Sequence, residues 1–309
     1  MTTITQINWA NLTALQLQND QLSVVLLPEL GGKIVSIVYL ETGFEVVEQN
    51  HQSGYTLPGE NARFSDFDAS GLDDAFPNID ETTLLYENRA IHYPDHGEIW
   101  SRSFDYEIVG ETLCLTYYSE RFQYTYEKIF ELQSNELIIH YNIQTKLEQP
   151  LPCLWAFHGL MRYESDMNLL YPEGTNGFVN VLTSEALGAL GTRHSRAESS
   201  YNFEQVPPKV PPTMVKYYVD SMSQQGQCGY VYYPQGMMCQ LTYEAAKLPY
   251  LGIWITAGGF RGDCNLALEP ATSYYDDVGI ALQNGTVHLL DVQHPLQFDM
   301  GIKLCKIIP

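Results

Sequence analysis

Three short segments of the chain carry residues suited to moving protons. Residues 152–159, P-C-L-W-A-F-H-G, place His158 in an apolar, strand-like run. Residues 265–272, N-L-A-L-E-P-A-T, place Glu269 near the end of another. Residues 95–102, D-H-G-E-I-W-S-R, place His96 beside a glycine where a long loop meets a strand. A carboxylate flanked by Leu268 and Pro270 is costly to bury without partners. A cavity that partly desolvates it would raise its pKa towards neutrality, as a general base near pH 7 requires. Imidazole is the side chain most often paired with it for proton transfer. Elsewhere the same residues read blandly. A His beside Trp and Phe is ordinarily a satisfied core residue, His96 a loop cap, and Glu269 a salt-bridge partner.

The elements that would position these groups are strands. Segments rich in Val, Ile, Tyr and Thr, closed by short turns, cover 22–27, 33–40, 104–109, 112–119, 124–132 and 136–144. Further strands are expected over 151–163, 214–219, 227–233, 237–243, 250–257, 264–270, 287–292 and 297–307. Gly110–Glu111 and Ser134–Asn135 read as hairpin turns, and G-G-F-R-G at 258–262 as a turn between two strands. Helix signals are sparse: one short helix over 276–285 with a capping Asp and a terminal Gly, and a further turn or two over 183–190. Residues 49–95 read as one long irregular stretch, and loops of that length inside a domain are usually functional. The Pro-rich run 206–212 shows no change of composition across it, so 1–309 is expected to form a single all-β domain.

The 309 residues include 16 Lys plus Arg and 37 Asp plus Glu, a net charge of −21. That balance argues against nucleic acid and against anionic lipid, because both need a basic face. With 45% apolar and 12% aromatic residues there is ample material for a core, which excludes disorder. The opening residues show neither a basic region nor an apolar one of signal-peptide type, and no apolar run approaches the ~18 residues of a membrane span. The six cysteines include no C-x-x-C pair and read as reduced thiols, so a cytoplasmic location is expected.

Together these segments resemble the aldose 1-epimerase (galactose mutarotase) superfamily. The likeness begins at L-S-V-V-L-L-P-E-L-G-G-K-I-V-S-I (22–37), continues through G-L-D-D-A-F-P-N-I (71–79) and His96–Gly97, and ends at Trp155–His158 and L-A-L-E-P (266–270). Around His158 the chain reads A-F-H-G-L-M-R-Y, without the Asn-rich segment of the galactose-specific branch, so the sugar is left open. The resemblance implies a large antiparallel β-supersandwich with a small-molecule sugar in an open cleft. It implies a cofactor-independent isomerase interconverting the α and β anomers of a free sugar by ring opening. Glu269 matches the general base, His158 the general acid, and His96 a second His that binds near the ring oxygen. An acidic residue for sugar hydroxyls would be Asp74 or Asp73. Arg63 and Arg102 are further hydroxyl ligands to test, with Trp155 and Trp254 as apolar faces for the sugar.

Two stretches imitate metal sites. D-F-D-A-S-G (66–71) imitates a calcium loop, but its twelfth position is Pro77 where a bidentate Glu is needed. His92 and His96 have zinc spacing, but Pro94 between them removes the helix that spacing requires. No metal is therefore expected. A non-catalytic sugar-binding protein, a sugar-phosphate mutarotase and a carboxylate-pair glycosidase remain as alternatives.

Overall fold

Period-two alternation organises the molecule. Along Tyr124–Gln133, for example, positions 124, 126, 128, 130 and 132 are buried while the residues between them are not. A computed structural model describes residues 1–307. Two antiparallel sheets face one another. The smaller, of 8 strands, runs in the order Asn168–Leu170, Gln227–Tyr232, Met237–Tyr243, Leu296–Lys306, Glu136–Thr145, Tyr124–Gln133, Thr112–Tyr118 and Asp105–Val109. The larger sheet has 13 strands. Its centre runs Lys33–Tyr39, Leu72–Ala75, Ala156–Gly159, Asp263–Ala271, Tyr250–Phe260 and Thr213–Val219. Leu268, Ile253, Tyr217 and Phe157 of the larger sheet join Phe130, Ile139 and Ile302 of the smaller in one buried cluster. The other face of the larger sheet is left for other uses.

Most expected strands lie where the alternation puts them, and the one α-helix, Val278–Gln283, begins after Asp277, whose side chain accepts from the Ile280 N–H at 2.8 Å. Four expectations need correction. The stretch 49–95 is not irregular throughout. It holds the Leu72–Ala75 strand and a hairpin, Thr82–Tyr86 with Arg89–Tyr93. That hairpin turns through Glu87 and Asn88, both at positive φ (47° and 62°), a tight turn made without glycine. Residues 151–163 are three short strands rather than one, interrupted at Leu154–Trp155 and at Leu160. Residues 183–190 form no helix, and reciprocal backbone bonds between Ser184 and Gly188 close a turn there. An N-terminal hairpin, Thr3–Trp9 with Leu12–Gln18, was not among the expected strands. No helix among the described residues is long and apolar enough to cross a membrane, and the six cysteines are free.

Candidate active site

The sheet register brings the two expected proton-transfer groups side by side. Asp73 is aligned with His158 and Glu269 with Gly252, which is aligned in turn with Tyr218. Ala156 pairs with Ala271 and Met161 with Leu266, a register that sets His158 opposite Glu269. Aligned residues on neighbouring strands share a face, with Cβ atoms ~4.5–5.5 Å apart. Asp73, His158, Glu269, Gly252 and Tyr218 thus form one row across five strands, on the face turned away from the smaller sheet. Leu266 and Leu268, one step out of phase, point into the core. Glycine at 252 leaves space in this row: a Cβ there would lie 3.0 Å from Glu269 Oε2 and 3.2 Å from Tyr218 Cζ.

Over this row lies a cavity of about 370 Å³, within the range of small-molecule sites. Glu269 and His158 line it with His96, Lys216, Trp254 and Asp276. Loop residues 64–69 form one wall. Phe64 stacks on His96, with centroids 4.4 Å apart and planes at 17°, and meets His158 edge-on at 4.8 Å. His96 sits at φ +57°, followed by Gly97 at +71°, where a Cβ would fall 2.0 Å from the Phe76 carbonyl oxygen. This turn, sparsely populated for a non-glycine residue, throws the imidazole over the sheet. Asp95 then fixes it: Oδ1 lies 2.8 Å from His96 Nδ1, and Oδ2 accepts from the Phe64 N–H at 2.8 Å. A carboxylate only accepts, so Nδ1 carries a proton towards Asp95. Burial works against the Asp95 charge, but the His96 and Phe64 bonds outweigh it and hold its carboxyl below the usual range.

The two central groups are buried yet unbonded. Glu269 is 1% exposed and His158 8%. Neither carboxylate oxygen of Glu269 has a hydrogen-bond partner, nor has His158 Nδ1. Burial raises the Glu269 pKa, and Lys216, whose Nζ lies 3.5 Å from Oε2, opposes that rise. Burial likewise pushes His158 well down, reinforced by His96, Lys216 and Lys33. Lys216 is anchored by Asp276 Oδ2 at 2.8 Å, and Asp276 Oδ1 accepts from the Tyr218 hydroxyl at 2.8 Å.

Of the other expected residues, only Trp254 lines the cavity, its indole N–H held by Asn265 Oδ1 at 3.0 Å. Asp74 does not reach it. Alternation turns Asp74 into the space between the sheets, where Lys128 Nζ (2.9 Å) and the hydroxyls of Tyr126 (3.1 Å) and Tyr141 (2.9 Å) surround it. Asp73 shares the His158 face but is 3% exposed and lies under Lys33, 3.2 Å away; burial raises its pKa to about 6. Trp155 is core, packed on Phe298 and donating to the Tyr126 hydroxyl at 2.7 Å. Arg63 is exposed on the loop, and Arg102 turns to Glu98 and Glu60 at 3.7 and 3.8 Å. Lys216, Asp276 and Asp95 were missed. Lys216 carried the same signal as Glu269, a charge between inward-facing apolar neighbours, in M-V-K-Y-Y-V. Among the described residues, no three or more His, Cys, Asp or Glu side chains are grouped to hold a metal.

No protein-family model and no curated protein matches this sequence. Solved structures do match in fold. The Slr1438 protein of Synechocystis sp. PCC 6803 superposes with a TM-score of 0.74 at 14% identity, covering 97% of this chain and 99% of its own. A galactose mutarotase-like protein of Clostridium acetobutylicum gives 0.70 at 14% identity, over 99% of each chain. A galactose mutarotase related enzyme of Lactobacillus acidophilus gives 0.68 at 12% identity, over 99% of this chain and 98% of its own. With its two facing antiparallel sheets matched from end to end, this chain has the galactose mutarotase-like fold.

Proposed function

We propose that this protein is an aldose 1-epimerase that opens and recloses the ring of a free monosaccharide. The observation that carries this reading is an unbonded buried carboxylate opposite an unbonded buried imidazole, in one open cavity. Ring opening takes the proton from the anomeric hydroxyl and delivers one to the ring oxygen. The C1–O5 bond breaks and an aldehyde forms; rotation about C1–C2 and reclosure give the other anomer. Glu269 takes the first proton and His158 supplies the second, and reclosure reverses both transfers. Burial raises the Glu269 pKa against the pull of Lys216, and lowers that of His158. Each positioned transfer is worth about 10²–10⁴ in rate. His96 and Trp254 line the same cavity, where His96 Nε2 would hydrogen-bond a sugar hydroxyl and Trp254 would offer an apolar face.

The cavity chemistry favours an uncharged sugar over a sugar phosphate. Asp80, Asp95, Asp276 and Glu269 line it against two cations, Lys216 and Arg261. Both cations are engaged, Lys216 with Asp276 and Arg261 with Asp263 at 3.0 Å and the Phe67 carbonyl at 3.0 Å. A phosphate would find no free fork to bind. Anomer exchange followed by NMR on a panel of aldoses and aldose phosphates tests both statements. Acceleration of at least one free aldose is expected, and of no aldose phosphate. Tight sugar binding with no acceleration anywhere would instead make this a sugar-binding protein, and cleavage of a glycosidic bond a glycosidase.

The gap at Gly252 gives a steric test. Gly252→Val should displace the Glu269 carboxylate and lower exchange by about 10²-fold, the worth of one transfer group. Parallel thermal unfolding checks that the sheet itself survives.

A further inference from the structure

We propose that Lys216 is the positioning residue that sets the charge of Glu269, acting as a cation that neutralises the carboxylate without occupying it. This rests on the epimerase reading for its consequence in catalysis, but not for the ionic coupling itself.

The geometry is specific. A buried carboxylate ordinarily keeps its charge by accepting hydrogen bonds, and those bonds would consume the lone pairs that must receive a substrate proton. Here the cation stands 3.5 Å from Glu269 Oε2, near enough for strong attraction, yet both oxygens stay free of hydrogen bonds. Asp276 makes that spacing possible. Its 2.8 Å contact holds Nζ back, and the Tyr218 hydroxyl and the Ile79 and Asp80 backbone N–H groups fix Asp276 in turn. The lysine side chain is 13% exposed, so water screens it little.

Of the positive groups that favour the Glu269 charge, Lys216 pulls most and His96 less. Facing Glu269 are Lys216 and Tyr218 from the Thr213–Val219 strand, His158 from Ala156–Gly159, and His96 from the 95–97 turn. Asp276 faces it from the segment after its own strand, with Asp80 beyond at the rim, and Gly252 contributes no side chain. Arg261 is held on Asp263, and Lys33 lies between Asp68 (3.0 Å) and Asp73 (3.2 Å). Burial and Asp276 oppose ionisation of Glu269, so removing Lys216 shifts the balance towards the protonated acid.

The test is a ¹³C NMR titration of the Glu269 side-chain carboxyl in the sugar-free protein, for wild type, Lys216→Met and Lys216→Arg. An opposite charge at this range moves a carboxyl by about 1–3 pH units. The midpoint should therefore rise by about 1 pH unit or more in Lys216→Met. Lys216→Arg should return it to near the wild-type value. In the anomer-exchange assay, the acid limb of kcat/KM against pH should move upward by the same amount in Lys216→Met. A merely structural lysine would lower activity at every pH and leave the limb in place. An unmoved Glu269 midpoint in a folded Lys216→Met protein overturns the inference whether or not the protein is an epimerase. A moved midpoint with no exchange of any sugar by wild type upholds the coupling and rejects the epimerase reading. If Lys216→Met does not fold, Lys216→Gln is titrated in its place, with the same two outcomes.

Discussion

Glu269→Gln is expected to lower anomer exchange by about 10²-fold or more while leaving the fold intact. The amide keeps the shape of the carboxylate but can take no proton, so one of the two transfers is lost. A 10²-fold loss is ~2.7 kcal/mol of transition-state stabilisation. Stability should not follow activity. The wild-type carboxylate is buried and makes no hydrogen bond, so removing its charge relieves a cost rather than creating one. Lys216 keeps its shorter contact with Asp276. The thermal midpoint of the variant is thus expected to equal or exceed that of wild type. His158→Asn should lose a similar factor, and the double variant little more than either alone, because both groups act on one proton route. A Glu269→Gln protein that exchanges anomers at the wild-type rate would remove Glu269 from the mechanism. A variant that is slow and also unfolded would leave the test to His158→Asn.

Asp74→Ala produces the largest expected loss of stability, about 3–5 kcal/mol. Asp74 is 4% exposed and Lys128 3%, and they meet at 2.9 Å between the two sheets. Removing the carboxylate strands the ammonium in the core and leaves the Tyr126 and Tyr141 hydroxyls without their acceptor. Denaturant unfolding measures the loss. Lys128→Met in the same chain should restore much of it, since an uncharged pair of similar volume avoids the orphaned charge. The outcome separates two roles for this aspartate. A substrate ligand would raise KM and leave stability alone; the structural role predicts the reverse. An Asp74→Ala protein of wild-type stability with weakened sugar affinity would show that Asp74 reaches the site.

Local pattern made much of this legible. Alternation in Leu266–Pro270 already sends Glu269 to the face opposite its leucines, and the same rule places His158 opposite Phe157. Positions of hairpins such as Thr112–Tyr118 with Asp105–Val109 followed from turn residues and period two. Asp73 and Asp74 show where this fails. Adjacent residues of a strand must face opposite ways, but nothing local says which side is cleft and which is core. Composition could not separate Lys216 from a solvated lysine, because its partners Asp276 and Glu269 are 60 and 53 positions away in the chain.

What the sequence by itself determined was the all-β alternation and the setting of one carboxylate, Glu269, and one imidazole, His158, in apolar strands. Both are carried by residues a few positions apart. Which strands become neighbours, and in what register, was decided only in the tertiary structure. That pairing sets His158 against Glu269, turns Asp74 into the core, and brings Lys216 to the edge of the carboxylate. The physical reason is range. Side-chain direction along a strand is a local property, whereas the charge and solvation of a buried group depend on everything the fold packs around it.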